Sequence, residues 1–255
     1  VADRPEGPFT DALGHAMFDQ EQLKAPNITI DPDVFCDPAT GKYYLYFPAK
    51  DKDGIFRIGV AVSDKPDCDF VPEKTPIEGS RSIDPCVLVD DDNRAYMVTG
   101  GLWGGQLEKW QTGSFVAGDP NMIPGADGPK GDENALCPYF YELNDDMISI
   151  KTGPKPLVIL DENGEPLKAC DEKRRYFEDP GVNKIKGKYY LSYSTGTTHY
   201  IVYATSDKPE GPFVPRETNI EGISGIDPSV IKGPDGKWYI YWGGGGLMCA
   251  QIKDD

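Results

Sequence analysis

Helix signals, basic charge, paired cysteines and long apolar runs are all scarce in this chain, and each scarcity removes a class of protein. The six cysteines, Cys36, Cys68, Cys86, Cys137, Cys170 and Cys249, lie far apart with no Cys-x-x-Cys pair. Neither a zinc site nor a dense disulfide framework is indicated, and the cysteines read as small buried apolar residues. No apolar stretch approaches membrane-spanning length, and Val1 is followed at once by Ala2-Asp3-Arg4-Pro5. The expectation is a soluble chain with no membrane partner and no signal peptide of its own. Only 26 basic residues stand against 42 acidic ones, a formal charge of -16, which argues against nucleic acid or an anionic membrane surface as partner.

What the chain has in excess is turn residues and a repeated phrase. Gly (29) and Pro (23) are abundant, as expected where tight turns join short strands. Four times an Asp-Pro pair leads through an apolar run and a polar turn into an aromatic strand. The copies start at Asp31-Pro32, Asp84-Pro85, Asp179-Pro180 and Asp227-Pro228 and lead to Tyr43-Tyr44-Leu45-Tyr46, Ala95-Tyr96-Met97-Val98, Tyr189-Tyr190-Leu191-Ser192 and Trp238-Tyr239-Ile240-Tyr241. A unit of this length, built from short strands, predicts an all-β fold, a β-propeller. Repeats running nearly end to end predict one domain, with blades at about 25–78, 79–172, 173–221 and 222–255 plus 1–14.

Third strands are expected at Arg57 to Val62 and Tyr200 to Thr205, each entering a closing phrase, Ser63-Asp64-Lys65-Pro66 or Ser206-Asp207-Lys208-Pro209. The N-terminus carries the same phrase, so residues 1 to about 14 are expected to complete the last blade by pairing with its C-terminal strand. The interval between the second and third copies is nearly doubled by residues 111–175. That stretch reads as a loop, Gly118 to Asn134, followed by strands at Pro138 to Glu142 and Pro156 to Leu160. The one candidate helical turn is Asp19 to Lys24.

A ring of such blades would carry every Asp-Pro carboxylate to one central place. Carboxylates converging on a water-accessible funnel suit glycoside hydrolysis, which needs an acid and a base across the scissile bond, and a further carboxylate can raise the acid's pKa. The plainer reading is that Asp-Pro starts a strand well, because the side chain accepts backbone N–H groups where Pro needs no donor. Glu6 and Glu210, both in Glu-Gly-Pro, read as surface turn residues. Of Trp238 and Tyr239, which alternate along a strand, one is expected in the core, and Trp242 fits either the core or a sugar-binding role.

Longer stretches carry a resemblance. Phe47 to Ala61, Ser82-Ile83-Asp84-Pro85, Gly100 to Leu107, and Arg174-Arg175-Tyr176-Phe177-Glu178 with Gly187 to Gly196 resemble glycoside hydrolase family 43, closely over residues 40–215 and loosely elsewhere. The resemblance implies a propeller, normally five-bladed, that cleaves xylo- or arabino-oligosaccharides with inversion. It implies Glu178 as general acid and Asp84 as the residue that tunes the acid's pKa and orients it. The base, within roughly 6.5–9.5 Å of the acid, is left to Asp31 or Asp227. Trp103 and Phe47 are the substrate-binding candidates, Trp103 because a flat aromatic stacks on a sugar face.

The departures matter as well. Four blade signatures are readable where the family has five, and Asp179-Pro180-Gly181-Val182-Asn183 replaces the family's usual sequence after the acid. No cofactor is required. A calcium ion in the central channel is compatible with the family, but with only His15 and His199 present a His ligand is not supported, and His199 reads as structural. The partner is an oligosaccharide and the chain a monomer or small homo-oligomer. The compartment is open, since family members are secreted, periplasmic or cytoplasmic. The alternative is a catalytically silent propeller, a scaffold or carbohydrate-binding relative, even an engineered recombination of family blades.

Overall fold

The computed structural model describes residues 1–17, 29–119, 125–196, 200–216 and 219–253. Among the described residues, fifteen strands form four antiparallel sheets, each strand pairing with its sequence neighbour in the manner of propeller blades. The first sheet holds β1 (Asp33–Cys36), β2 (Tyr43–Lys50), β3 (Phe56–Ser63) and β4 (Val71–Pro72). The second holds β5 (Cys86–Val89), β6 (Ala95–Thr99), β7 (Tyr139–Leu143) and β8 (Ile150–Pro156). The third holds β9 (Tyr176–Ile185), β10 (Lys188–Thr195), β11 (Ile201–Ser206) and β12 (Val214–Pro215), and the fourth β13 (Ile226–Lys232), β14 (Trp238–Gly243) and β15 (Met248–Gln251). Among the described residues the only helical elements are two short 3-10 turns, Trp103–Gly105 and Leu107–Trp110. The candidate turn at Asp19 to Lys24 lies outside the described residues, and no described helix is long and apolar enough to cross a membrane.

The repeated phrase accounts for the local geometry. Between the first and second strand of every blade, the residue before the basic one takes a left-handed conformation: Gly41, Asn93, Gly187 and Gly236, at φ 63–81°. Gly and Asn are the residues that enter this region at least cost, so the hairpins close there. The closing phrase is equally regular. Ser63 Oγ accepts the Lys65 N–H (3.0 Å) and Ser206 Oγ the Lys208 N–H (3.1 Å), and each turn leads to a two-residue outer strand ending in Pro. A proline on an outer strand needs no donor and blunts the sheet edge.

Two expectations about strands are corrected. The outer strand of the second blade is Ile150–Pro156, not Pro156 to Leu160. Residues 157–160 instead cross to the third blade, where Phe213 N–H donates to Val158 O (2.9 Å) and Leu160 N–H to Phe213 O (2.8 Å), with Leu157 and Ile159 buried between. The N-terminal segment lies against the fourth blade through Tyr241 Oη donating to Pro5 O (2.5 Å) and a Phe9–Tyr241 ring contact, but it adds no strand. Thr10 uses its N–H and C=O on Val1, and the Asp11 carboxylate accepts the Leu13 and Gly14 N–H groups (2.9 Å each), so these groups are engaged within the segment and not in a ladder with β15.

One apolar cluster runs through the first three blades, with Tyr46, Ile58, Met97, Tyr141, Leu157, Leu191 and Tyr193 fully covered. The fourth blade shares a separate cluster of Ile201, Ile223, Ile240 and Trp242. Tyr239 is core and Trp238 only partly covered, the expected split. All six cysteines are free, but Cys36 and Cys170 are exposed, so the buried-cysteine expectation fails for those two.

Candidate active site

The first strands of the four blades, β1, β5, β9 and β13, enclose a cavity of about 500 Å³. Every Asp of the repeated Asp-Pro pairs lines it: Asp31, Asp84, Asp179 and Asp227, joined by Asp33 and Glu178. Among the described residues, lysine, arginine and histidine are absent from this lining. The four repeated aspartates all adopt the left-handed region, at φ 45, 54, 55 and 58°. Asp enters it more readily than most residues, and the following Pro has no N–H for the ladder. The register is accordingly irregular around Asp-Pro in the third blade, between Ser192 and Ser194, and in the fourth, between Ile226 and Ser229. Such bulges re-aim side chains beside active sites.

The copies are not equivalent in their surroundings. Asp84 is buried, 7% exposed, Glu178 and Asp179 are half-buried, and Asp31 and Asp227 are exposed. Asp84 Oδ2 accepts the Asp179 N–H at 3.0 Å, so the second blade grips the peptide next to Glu178. The second blade holds the strand of Glu178 at further points: Gly101 bridges Glu178, Leu102 N–H donates to Phe177 O (3.0 Å), and Tyr176 Oη donates to Gly100 O. Gly101 has to be glycine, because a Cβ there would lie 2.6 Å from Ile83 and 3.1 Å from Asp84 Oδ2. In the fourth blade the matching N–H, that of Asp227, goes to Ser194 Oγ at 3.0 Å.

Burial and crowding of like charges set the protonation states. Glu178 is pushed up to about 7, first by burial, then by Asp227 and Asp31. Burial and the charges of Asp179 and Asp31 hold Asp84 well above the usual carboxylate range, and burial with Asp227 and Glu178 does the same for Asp179. Asp31 is raised by burial and pulled back in part by a hydrogen bond with the Asp84 side chain. The charges acting on Glu178 therefore come chiefly from Asp227 and Asp31, while the role visible for Asp84 is its grip on the Asp179 peptide. Asp33, the first residue of β1, is not among the sequence-based candidates, yet it lines the cavity; burial raises it to about 6 against the Val87 and Val34 N–H groups.

These shifts carry a stability consequence. Glu178 and Asp33 have folded pKa values above their unfolded ones, so their contribution is fully present below the ordinary carboxylate range and is lost as pH rises through about 6 for Asp33 and about 7 for Glu178. Ion-paired carboxylates such as Asp90 and Asp92 are lowered, and their contribution is lost only as pH falls below the ordinary carboxylate range. The thermal midpoint is expected to be several degrees higher at pH 5 than at pH 8, with Glu178→Gln flattening the difference. Equal midpoints at the two pH values in a calorimetric scan would refute this.

The other site candidates separate. Phe47 is not a substrate contact: it is 4% exposed, packed with Leu45, Ala61 and Phe70, its ring against Gly59, where a Cβ would meet it at 2.5 Å. Trp103 lies outside the cavity lining but is 40% exposed, its indole edge-on to Phe177, the residue before Glu178, with ring centroids 5.0 Å apart. Trp242 is core, and Glu6 and Glu210 are exposed turn residues. His199 lies outside the described residues. Among the described residues no three His, Cys, Asp or Glu side chains are arranged to hold a metal ion.

A buried, protonated carboxyl among ionisable neighbours, next to water-facing carboxylates, can give a proton to one atom while another carboxylate takes one from water. Known proteins with similar sequences are named as xylosidases and arabinosidases. Residues 36–117 and 155–255 match the family described as glycosyl hydrolases family 43. The chain is 50% identical to a xylosidase/arabinosidase of Humicola insolens over 80% of this chain and 64% of that protein. It is 45% identical to a xylosidase/arabinosidase of Bacteroides ovatus, over 83% and 62%. It thus spans a little under two thirds of the length of these curated relatives. Among solved structures, a β-xylosidase/α-arabinofuranosidase from a compost microbial metagenome, in complex with xylotriose, superposes with a TM-score of 0.83 at 42% identity, covering 94% of this chain and 74% of that one.

Proposed function

The chain belongs to glycosyl hydrolases family 43, and on that premise we propose that it hydrolyses xylo- or arabino-oligosaccharides with inversion of the anomeric centre. The observation that carries this reading is Glu178, a half-buried carboxyl pushed up to about 7 on the wall of a cavity lined by five aspartates. At neutral pH it is protonated often enough to give its proton to the leaving glycosidic oxygen. Asp84, through its bond to the Asp179 N–H, fixes the strand that carries the acid. Asp227, the like charge acting most strongly on Glu178, helps burial keep the acid's pKa high.

Asp31 is the base. Sheet contacts run from β1 to β5, from β5 to β9 and from β9 to β13, so the blade of Asp31 is two steps from that of Glu178 and the blade of Asp227 only one. An inverting base works from the opposite face of the sugar, with a water between, which favours the more distant carboxylate. Asp31 is also exposed to solvent, and the hydrogen bond with Asp84 favours its ionised form.

The substrate class follows from the relatives, named as xylosidases and arabinosidases, and from the xylotriose bound in a solved neighbour. The silent-scaffold alternative is not favoured, because the family match runs through both halves of the chain. The direct test is proton NMR of the first sugar released from xylobiose or an arabinofuranoside. The newly formed anomer is expected to be opposite to that of the substrate; a first product of retained configuration would overturn the mechanism, and absence of turnover the activity.

A further inference from the structure

Trp103 stands in an unusual backbone state. Its φ is +54°, a region that bulky residues rarely enter and that persists only when surrounding structure enforces it. The enforcing contact is Glu108, whose Oε2 accepts the Trp103 N–H at 2.8 Å. Glu108 is 3% exposed, so this carboxylate has been taken out of water to serve a backbone group five residues away. Burying a carboxylate is costly unless its hydrogen bonds are made, which ties the side chain firmly to that N–H.

The rest of the surroundings make a frame around the same indole. Gln111 Nε2 donates both to Glu108 O (2.8 Å) and to Asp127 O (2.9 Å), and Lys109 pairs with the Asp127 carboxylate. These bonds draw the 125–128 turn against the 107–110 helical turn, and Gly125 comes so close that a Cβ there would lie 1.8 Å from the Trp103 Nε1. Phe177 meets the indole edge-on from the acid's strand. The indole is thereby held between the 125–128 turn and Phe177 with part of its surface open.

We propose that Glu108 is a positioning residue for substrate: by holding the Trp103 peptide in its left-handed state it keeps the indole presented beside the acid's strand as a platform for a sugar ring. This rests on the glycosidase reading above and deepens it. The platform acts on binding and not on proton transfer, so its loss raises KM and leaves kcat nearly untouched. What Glu108 supplies is an acceptor oxygen, which an amide side chain also supplies.

The test is steady-state kinetics on xylotriose with amide hydrogen exchange of the whole protein. Glu108→Ala is expected to raise KM about tenfold with kcat within about twofold, and to expose the Trp103 amide to exchange. Glu108→Gln should stay within about twofold of the parent in both. Trp103→Ala should raise KM as Glu108→Ala does, and the double variant should be no worse than Trp103→Ala alone. The proposal is overturned if Glu108→Ala leaves KM and Trp103 protection unchanged, if Glu108→Gln behaves like Glu108→Ala, or if the two alanine effects add. If Trp103→Ala leaves KM unchanged, the platform is wrong, whatever the exchange data show. A parent protein without turnover sinks the glycosidase reading instead, while exchange at Trp103 still decides whether Glu108 holds that peptide.

Discussion

Glu178→Gln is expected to lower kcat/KM on a 4-nitrophenyl xyloside or arabinofuranoside by about 10²–10⁴-fold. The amide keeps the volume of the carboxyl and most of its hydrogen bonds, so the loss reports on proton donation and not on shape. Its dependence on the leaving group is the sharper signature. A dinitrophenolate leaves without being protonated, so on that substrate the loss should shrink to roughly tenfold or less. The pH profile carries the same information. The acid must be protonated, so activity should fall as pH rises through about 7, where Glu178 titrates, and the variant should lose that limb. A loss of equal size on both leaving groups, or a basic limb that survives the substitution, would remove Glu178 from the acid's role.

Asp31→Asn is the second large effect, again about 10²–10⁴-fold in kcat/KM, but independent of the leaving group because water activation is equally needed for each substrate. Asp227→Asn should behave differently. Asp227 is the largest like charge raising Glu178, so its removal should cost less than about tenfold and move the basic limb of the pH profile downward, as an acid freed from a neighbouring anion ionises earlier. The comparison separates the two exposed carboxylates that the repeat makes look alike. If Asp227→Asn gives the large loss and Asp31→Asn the displaced limb, their roles are exchanged and the placement of the base across the cavity is wrong.

The sequence makes the gathering of these carboxylates legible, because spacing and turn chemistry are local properties. An Asp-Pro before an apolar run, and a Gly or Asn before Lys or Arg, place strands and hairpins without knowledge of the rest of the chain. What the repeat hides is inequality among its copies. Whether an Asp is buried like Asp84 or open to water like Asp227 depends on the loops packed over it, and those loops are the least regular part of the sequence.

The misplaced strand has a similar origin. Ile150–Pro156 contains Gly153-Pro154, which argues against a strand until its place at the edge of the sheet is known, where a missing N–H costs nothing. Phe47 reads as available from sequence because a shared stretch says which residues are grouped, not which way a strand faces. Glu108 gave no signal at all: between Leu107 and Trp110 it reads as any surface glutamate, and only the folded chain brings it to the Trp103 N–H.

The core that spans three blades and stops at the fourth divides the molecule mechanically. Asp84, Glu178 and the Leu157–Leu160 crossing belong to one cooperative unit, whose opening would require separating large aromatic side chains shared between blades. Asp227 lies on the fourth blade, whose smaller apolar cluster takes in Ile201 of the third blade and whose first strand packs on β9 and β10. Glu178, the proposed proton donor, and Asp84, which grips its strand, thus stand beside the larger apolar cluster, while Asp227, the charge that raises Glu178 most, stands on the blade with the smaller one.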